Sequence, residues 1–259
     1  MPRASLPLLA ALLLAWPAAG RAAETARVSV AAAANLAYVI DALHAGFSRF
    51  APEVKVTSAL GPTGGLFAQI SHGAPFDVFL SADVDTPRAL VTRGGGDAAT
   101  LRVFATGRLV VWTTRAGVDL KELGAATLHP LVGRVALAQP ATAPYGRAAQ
   151  AALERAGVWE KARAKLVFGD SLTQTVQFVE AGAADLGLVA LSAVKSPRLA
   201  GRGVWRELSP EDHPGVSLDH AVVLTTRGAA NPAARRYLDF LASEEARAIL
   251  RKAGYGTPP

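Results

Sequence analysis

Cysteine is absent from the 259-residue chain, and that absence removes disulfides, thiolate metal sites, cysteine nucleophiles and a lipidated cysteine anchor together. Runs of like charge are missing too. The 27 Lys and Arg against 21 Asp and Glu give a formal net charge of +6, but the basic residues are scattered, with only short pairs such as Arg235-Arg236 and Arg251-Lys252. This excludes a nucleic-acid stripe, while a mildly positive field still steers a small anion inward. His44, His72, His129, His213 and His220 form no close pair with metal-ligand spacing, so each reads as a surface or loop histidine. Asp77, Asp83 and Asp85 look like a carboxylate cluster, but a strand and a cap account for the first two, and a solvated face is the simpler reading. No internal repeat occurs, and past residue 23 no stretch is apolar enough to cross a membrane.

Hydrophobic residues make up 51% of the chain, enough to fill the core of one large domain or of two lobes. Residues 1–23 combine Arg3, an apolar stretch from Leu6 to Trp16, the helix breaker Pro17 and small residues up to Ala22 and Ala23. They read as a secretory signal peptide, which predicts a soluble mature chain from about Glu24 in a periplasmic compartment.

The stretch VSVAAAANL at 28–36 is an apolar run without alternation, as expected of a strand covered on both faces. Leu36, Ile40, Leu43 and Phe47 follow at helical spacing. Asn35 therefore falls at the N-cap, beside N–H groups that have no partner inside the helix. The junction is either an ordinary capped helix or an anion seat. A second such junction follows strand 54–60, where Gly61-Pro62-Thr63-Gly64-Gly65 offers a hydroxyl and glycines that allow close approach of the main chain, in what is otherwise a plain turn. The phrase DVFLSAD at 77–83 supplies a third strand and helix start. Three such units in succession predict an α/β layering with a parallel sheet. Strand-like runs at 101–106 and 108–113, broken at Gly107, mark the exit from a first lobe. The same order of elements then recurs: a strand at 134–138, a helix from Tyr145 to Ala156 ended by Gly157, a strand at 165–168, a helix from Leu172, and a buried strand at 186–191. Strands at 204–208 and 217–226 lead to two closing helices, opened by Asn231-Pro232 and by Ser243-Glu244-Glu245.

Taken in order, AAAANL (31–36), QISHGAPFDVFLSAD (69–83), RLVVW (108–112), APYGRAA (143–149), VEAGAADLGLV (179–189) and FLASEEARAILRKAGYG (240–256) resemble the periplasmic molybdate-binding proteins of ABC transporters. The resemblance implies an α/β, two-lobed periplasmic binding protein fold. Each lobe would be a mostly parallel sheet flanked by helices, with a two-strand hinge, lobe 1 from 24–107 and 221–259 and lobe 2 from 108–220. It implies a monomer that captures molybdate, and tungstate with it, and delivers it to a membrane permease, without enzymatic activity and without a cofactor. It also implies contacts from Asn35, Thr63, Tyr145 and the main chain at Leu172, all to the oxyanion's oxygens and none to the metal atom. Many members carry a tyrosine where this chain has Ala190, and the resemblance suggests that Tyr145 supplies the phenol from the opposite side.

The donor chemistry is consistent. A buried dianion needs several donors and no acceptors, and an amide, two hydroxyls and helix-start N–H groups provide them without a buried cation. Phosphate, which often keeps a proton near neutral pH, would have to donate into a site made of donors. The rival class is an esterase: Phe168-Gly169-Asp170-Ser171-Leu172-Thr173 matches the nucleophile phrase of the GDSL hydrolases, with Ser171 as nucleophile and His213 or His220 as base.

Overall fold

Strand residues in the first lobe alternate between two apolar clusters, and this alternation explains the layering. The computed structural model describes residues 26–258, so the signal peptide reading at 1–23 lies outside the described residues. Val28, Val30 and Ala32 of β1 (Ala26–Ala33) face a cluster containing Leu43 and Phe47 of α1 (Ile40–Phe50), while Ala31 faces the opposite cluster. There it meets Leu66 and Ile70 of α2 (Thr63–Ser71), which follows β2 (Val54–Gly61), and Leu90 of α3 (Asp85–Thr92), which follows β3 (Val78–Ser81). A sheet with helices on both faces results. β4 (Arg102–Thr106) ends the first pass, and the chain crosses at Gly107 into β5 (Leu109–Thr113).

The second lobe holds α4 (Leu123–Leu128), β6 (Val135–Ala138), α5 (Pro144–Arg155), α6 (Trp159–Ala162), β7 (Leu166–Gly169) and α7 (Leu172–Glu180). It is completed by β8 (Leu186–Ala190), α8 (Leu191–Val194) and β9 (Val204–Leu208). β10 (Asp219–Leu224) returns to the first sheet, and α9 (Thr226–Ala229), α10 (Pro232–Leu241) and α11 (Glu244–Lys252) pack beneath it. Phe47 of α1 meets Tyr237 of α10 edge to face at 5.0 Å, and Gly46 makes that approach possible, since a Cβ there would press Phe240 Cζ at 2.7 Å.

The strand orders are β2-β1-β3-β10-β4 and β7-β6-β8-β5-β9. In each sheet four strands run the same way and one runs against them, and that antiparallel strand, β10 or β5, is the one that has just crossed from the other lobe. Both lobes are thus stitched together by exchanged strands. The crossings lie side by side: the Gly107 N–H donates to the Leu218 carbonyl at 2.8 Å, and Thr106 pairs on its other side with Gly256.

One local expectation needs correction. Asn35 is not the N-cap of the first helix. The alanines continue the strand to Ala33, Ala33 itself is the cap of a 3₁₀ turn at Ala34–Tyr38, and α1 starts only at Ile40. Asn35 sits inside that turn with its side chain directed to other parts of the chain instead of to helix N–H groups.

Candidate functional site

The four expected contacts come together. Asn35, Thr63, Tyr145 and Leu172 line one hollow between the lobes, drawn down to a cavity of about 10 Å³, together with Ala33, Pro62, Ala82, Ala143 and Pro144. Each contact follows one of the parallel strands: Asn35 after β1, Thr63 after β2, Tyr145 after β6, Leu172 after β7. In open α/β sheets the carboxyl ends of strands are where ligands sit, because helix starts gather there. Roomier hollows lie elsewhere, among them one on the second lobe and one behind the crossing strands, and neither of these two gathers helix starts from both lobes.

The donors are open to the hollow. The 3₁₀ turn, α2 and α5 start at Ala33, Pro62 and Ala143, none of which caps with a side chain, whereas α9, α10 and α11 are closed by Thr225, Asn231 and Ser243. At α7 the Ser171 hydroxyl accepts from the Gln174 N–H at 3.3 Å, a cap that leaves the Leu172 N–H without an acceptor inside the helix. Among the described residues no charged side chain lines the hollow. The Tyr145 hydroxyl is fully buried, and no group among the described residues accepts its hydrogen. Burial pushes its pKa well above the ordinary phenol value, so it is a neutral donor; Tyr255 adds to the rise and the Arg108 main-chain N–H opposes it. That hydroxyl lies over Gly107, where a Cβ would fall on it and come within 2.8 Å of His220 Cε1. Ala190 pairs with Leu109, two residues beyond Gly107 on the same crossing.

Asn35 and Thr63 are held by the protein. The Thr63 hydroxyl oxygen accepts from the Ala82 N–H at 3.3 Å, leaving its own hydrogen free. The Asn35 amide nitrogen lies 2.6 Å from His220 Nε2 and 3.0 Å from the Tyr255 hydroxyl, which donates in turn to the Asn35 carbonyl at 3.0 Å. Burial lowers the His220 pKa to about 4, against the raising effects of the Leu218 carbonyl, Asp219 and Asp83. His220 is therefore a fully buried residue and not a surface or loop histidine; His213 is buried as well.

The carboxylate cluster is not a solvated face either. Asp77 is buried, accepting from the Ser29 N–H at 2.8 Å and pairing with Arg227, and buried Asp83 caps α3 through the Thr86 N–H while pairing at 2.6 Å with Arg147 of the opposite lobe. Asp85 alone is solvated. The Arg147–Asp83 pair, a hydrogen bond from the Gly64 N–H to the Thr142 carbonyl at 3.0 Å, and one from the Thr173 hydroxyl to the Ala34 carbonyl at 3.2 Å fasten the lobes around the hollow. Among the described residues no group of three His, Cys, Asp or Glu could hold a metal ion. The esterase reading fails at Ser171, whose oxygen is occupied as the cap of α7 with no histidine bonded to it.

The comparisons with known proteins point the same way. The family model for bacterial extracellular solute-binding proteins matches residues 28–256. The molybdate-binding protein ModA of Azotobacter vinelandii is 39% identical over 236 residues, 91% of this chain and 92% of that protein. ModA of Rhodobacter capsulatus is 38% identical over 250 residues, 92% of this chain and 96% of that protein. The solved structure of the Azotobacter vinelandii periplasmic molybdate-binding protein superposes with a TM-score of 0.83 at 27% identity, covering 90% of this chain and 100% of that one.

Proposed function

Because the chain belongs to the bacterial extracellular solute-binding proteins, we propose that it captures molybdate between its lobes and delivers it to the membrane permease of an ABC importer. It is a binding protein and not an enzyme. Tungstate, of nearly the same size and charge, is taken with molybdate. The protein acts as a monomer in the periplasm, with lobes at 24–107 plus 221–259 and at 108–220 closing about the two crossings. Asn35, Thr63, Tyr145 and the Leu172 N–H bond the oxyanion's oxygens.

The observation that carries this reading is a buried hollow rimmed by open helix starts from both lobes, lined by no charged side chain among the described residues, into which a buried phenol brings an unused donor. Partial positive charge at each helix start and neutral donors stabilise a dianion without the desolvation cost of a buried cation. Closure brings the lobe rims into one geometry, which a permease can distinguish from the open form. Isothermal titration calorimetry of the chain from Glu24 with molybdate, tungstate, sulfate and phosphate tests the reading. Tight one-to-one binding of the first two, with the others silent, is expected; silence for all four would remove it.

A further inference from the structure

His220 faces two groups whose hydrogen-bonding roles can be worked out. Its Nδ1 lies 2.8 Å from the Leu218 carbonyl, which can only accept, so Nδ1 carries a hydrogen. Its Nε2 lies 2.6 Å from one end of the Asn35 amide, and that same end lies 3.0 Å from the Tyr255 hydroxyl. In a neutral ring Nε2 is a lone pair, so the amide must turn its NH₂ toward it. Both amide hydrogens are then spent, on His220 and on Tyr255. The atom left for the hollow that Asn35 lines is Oδ1, which has no hydrogen-bond partner among the described residues.

A carbonyl oxygen is the wrong group to present to a dianion that offers only acceptors. Rotating the amide by half a turn about its Cβ–Cγ bond exchanges its ends within the same space. The NH₂ then faces the anion and Oδ1 faces Nε2. With Nδ1–H still committed to Leu218, a neutral ring would set the Nε2 lone pair against Oδ1 at hydrogen-bond distance, a repulsion relieved only if Nε2 also carries a hydrogen, which makes the ring an imidazolium. The Tyr255 hydroxyl adapts by rotation, since it can donate to Oδ1 or to the Asn35 main-chain carbonyl while accepting from Ser192 Oγ at 3.1 Å.

Resting on the oxyanion reading of this site, we infer that His220 takes up one proton from solvent as the hollow takes its dianion, with the Asn35 amide turning over between them. The anion keeps its two charges, the ring gains one positive charge behind Asn35, and the net charge added to the site is minus one. The groups around the ring are few. Asp219 lies on its own strand and Asp83 at the lobe interface, paired with Arg147; Tyr145 and Tyr255 flank it at 6.2 and 5.5 Å between ring centroids. Both phenols stay neutral because burial raises their pKa values. Without the anion, burial keeps the ring uncharged at neutral pH; two negative charges on the far side of Asn35 reverse that balance.

Titration calorimetry with molybdate between pH 7 and 9, in buffers of different ionisation enthalpy, counts the protons. The expected result is about one proton taken up per anion bound at the lower end of that range, with affinity rising by up to about tenfold per pH unit of acidification where uptake is complete. His220→Gln should bind more weakly, with uptake near zero and a flat pH profile. Tight binding by the native protein with no proton uptake, or uptake that persists in His220→Gln, overturns the inference while leaving molybdate capture standing. No binding of any anion overturns both. Should His220→Gln fail to fold, ¹⁵N imidazole shifts of the native protein decide: the His220 signals move to the doubly protonated pattern on saturation with molybdate, and an unchanged neutral pattern overturns the inference.

Discussion

The two lobes have the same strand order and line the hollow with two of the expected contact residues each, yet they hold those residues differently. In the first lobe Asn35 and Thr63 are already bonded to the protein, Asn35 through His220 and Tyr255, Thr63 through the Ala82 N–H. In the second, no group among the described residues accepts the Tyr145 hydroxyl's hydrogen, and the Leu172 N–H opens a helix. One side of the cleft is tied into the crossing strands, and the other brings donors that only a ligand can satisfy. A preorganised donor such as the Thr63 hydroxyl costs little ordering on binding, the Asn35 amide has to turn over before it can donate, and an unsatisfied phenol loses an unfavourable burial when the ligand arrives.

Mutating one contact from each lobe tests this contrast. Asn35→Ala should have the largest effect, because it strands the buried His220 ring and the Tyr255 hydroxyl together. A loss of about 2–4 kcal/mol of unliganded stability is expected in denaturant unfolding, along with weakened binding. Stability equal to that of the native protein would mean that the first lobe does not hold its contact in advance. Acid acts on the same network. His220 has its folded pKa lowered to about 4 from an ordinary 6.5, so its neutral form stabilises the fold above the ordinary value. That stability is lost as the pH falls from 6.5 toward 4, on the order of 3 kcal/mol across the window for the unliganded protein. Thermal unfolding in His220→Gln should show a shallower acid dependence; an identical profile would assign the loss to other groups. In the second lobe, Tyr145→Phe should weaken molybdate binding by roughly 1.5–3 kcal/mol and leave unliganded stability nearly unchanged, since the hydroxyl it removes has no acceptor to lose. Unchanged affinity would make the tyrosine a wall of the hollow and no more.

Much of this was legible in the sequence. Apolar runs followed by glycine or polar turns marked nearly every strand-to-helix junction, and Thr63, Tyr145 and Leu172, singled out by the family resemblance, line the hollow at the starts of α2, α5 and α7. What supports Asn35 was not legible, because His220 and Tyr255 stand 185 and 220 residues away and no local spacing encodes such a contact. A signal did exist for His220: it opens the apolar run Ala221 to Leu224, and a histidine heading a buried strand is seldom at the surface. Asp83 was misread for the same reason, since its partner Arg147 lies in the other lobe. The position of Asn35 was misjudged locally, because alanines suit a strand end and a helix start equally and gave no sign of where one stopped.

The separation between Asn35 and its supports also sets an order of assembly. Lobe 2's strands β5 to β9 lie in one unbroken stretch and can pair as soon as they are made, whereas the first sheet must wait for β10 to take its place between β3 and β4. Contacts closed over such long stretches of chain form late. The hollow is therefore expected to be the last part of the molecule to mature, so a folding intermediate with a finished second lobe would still lack the first lobe's half of its lining.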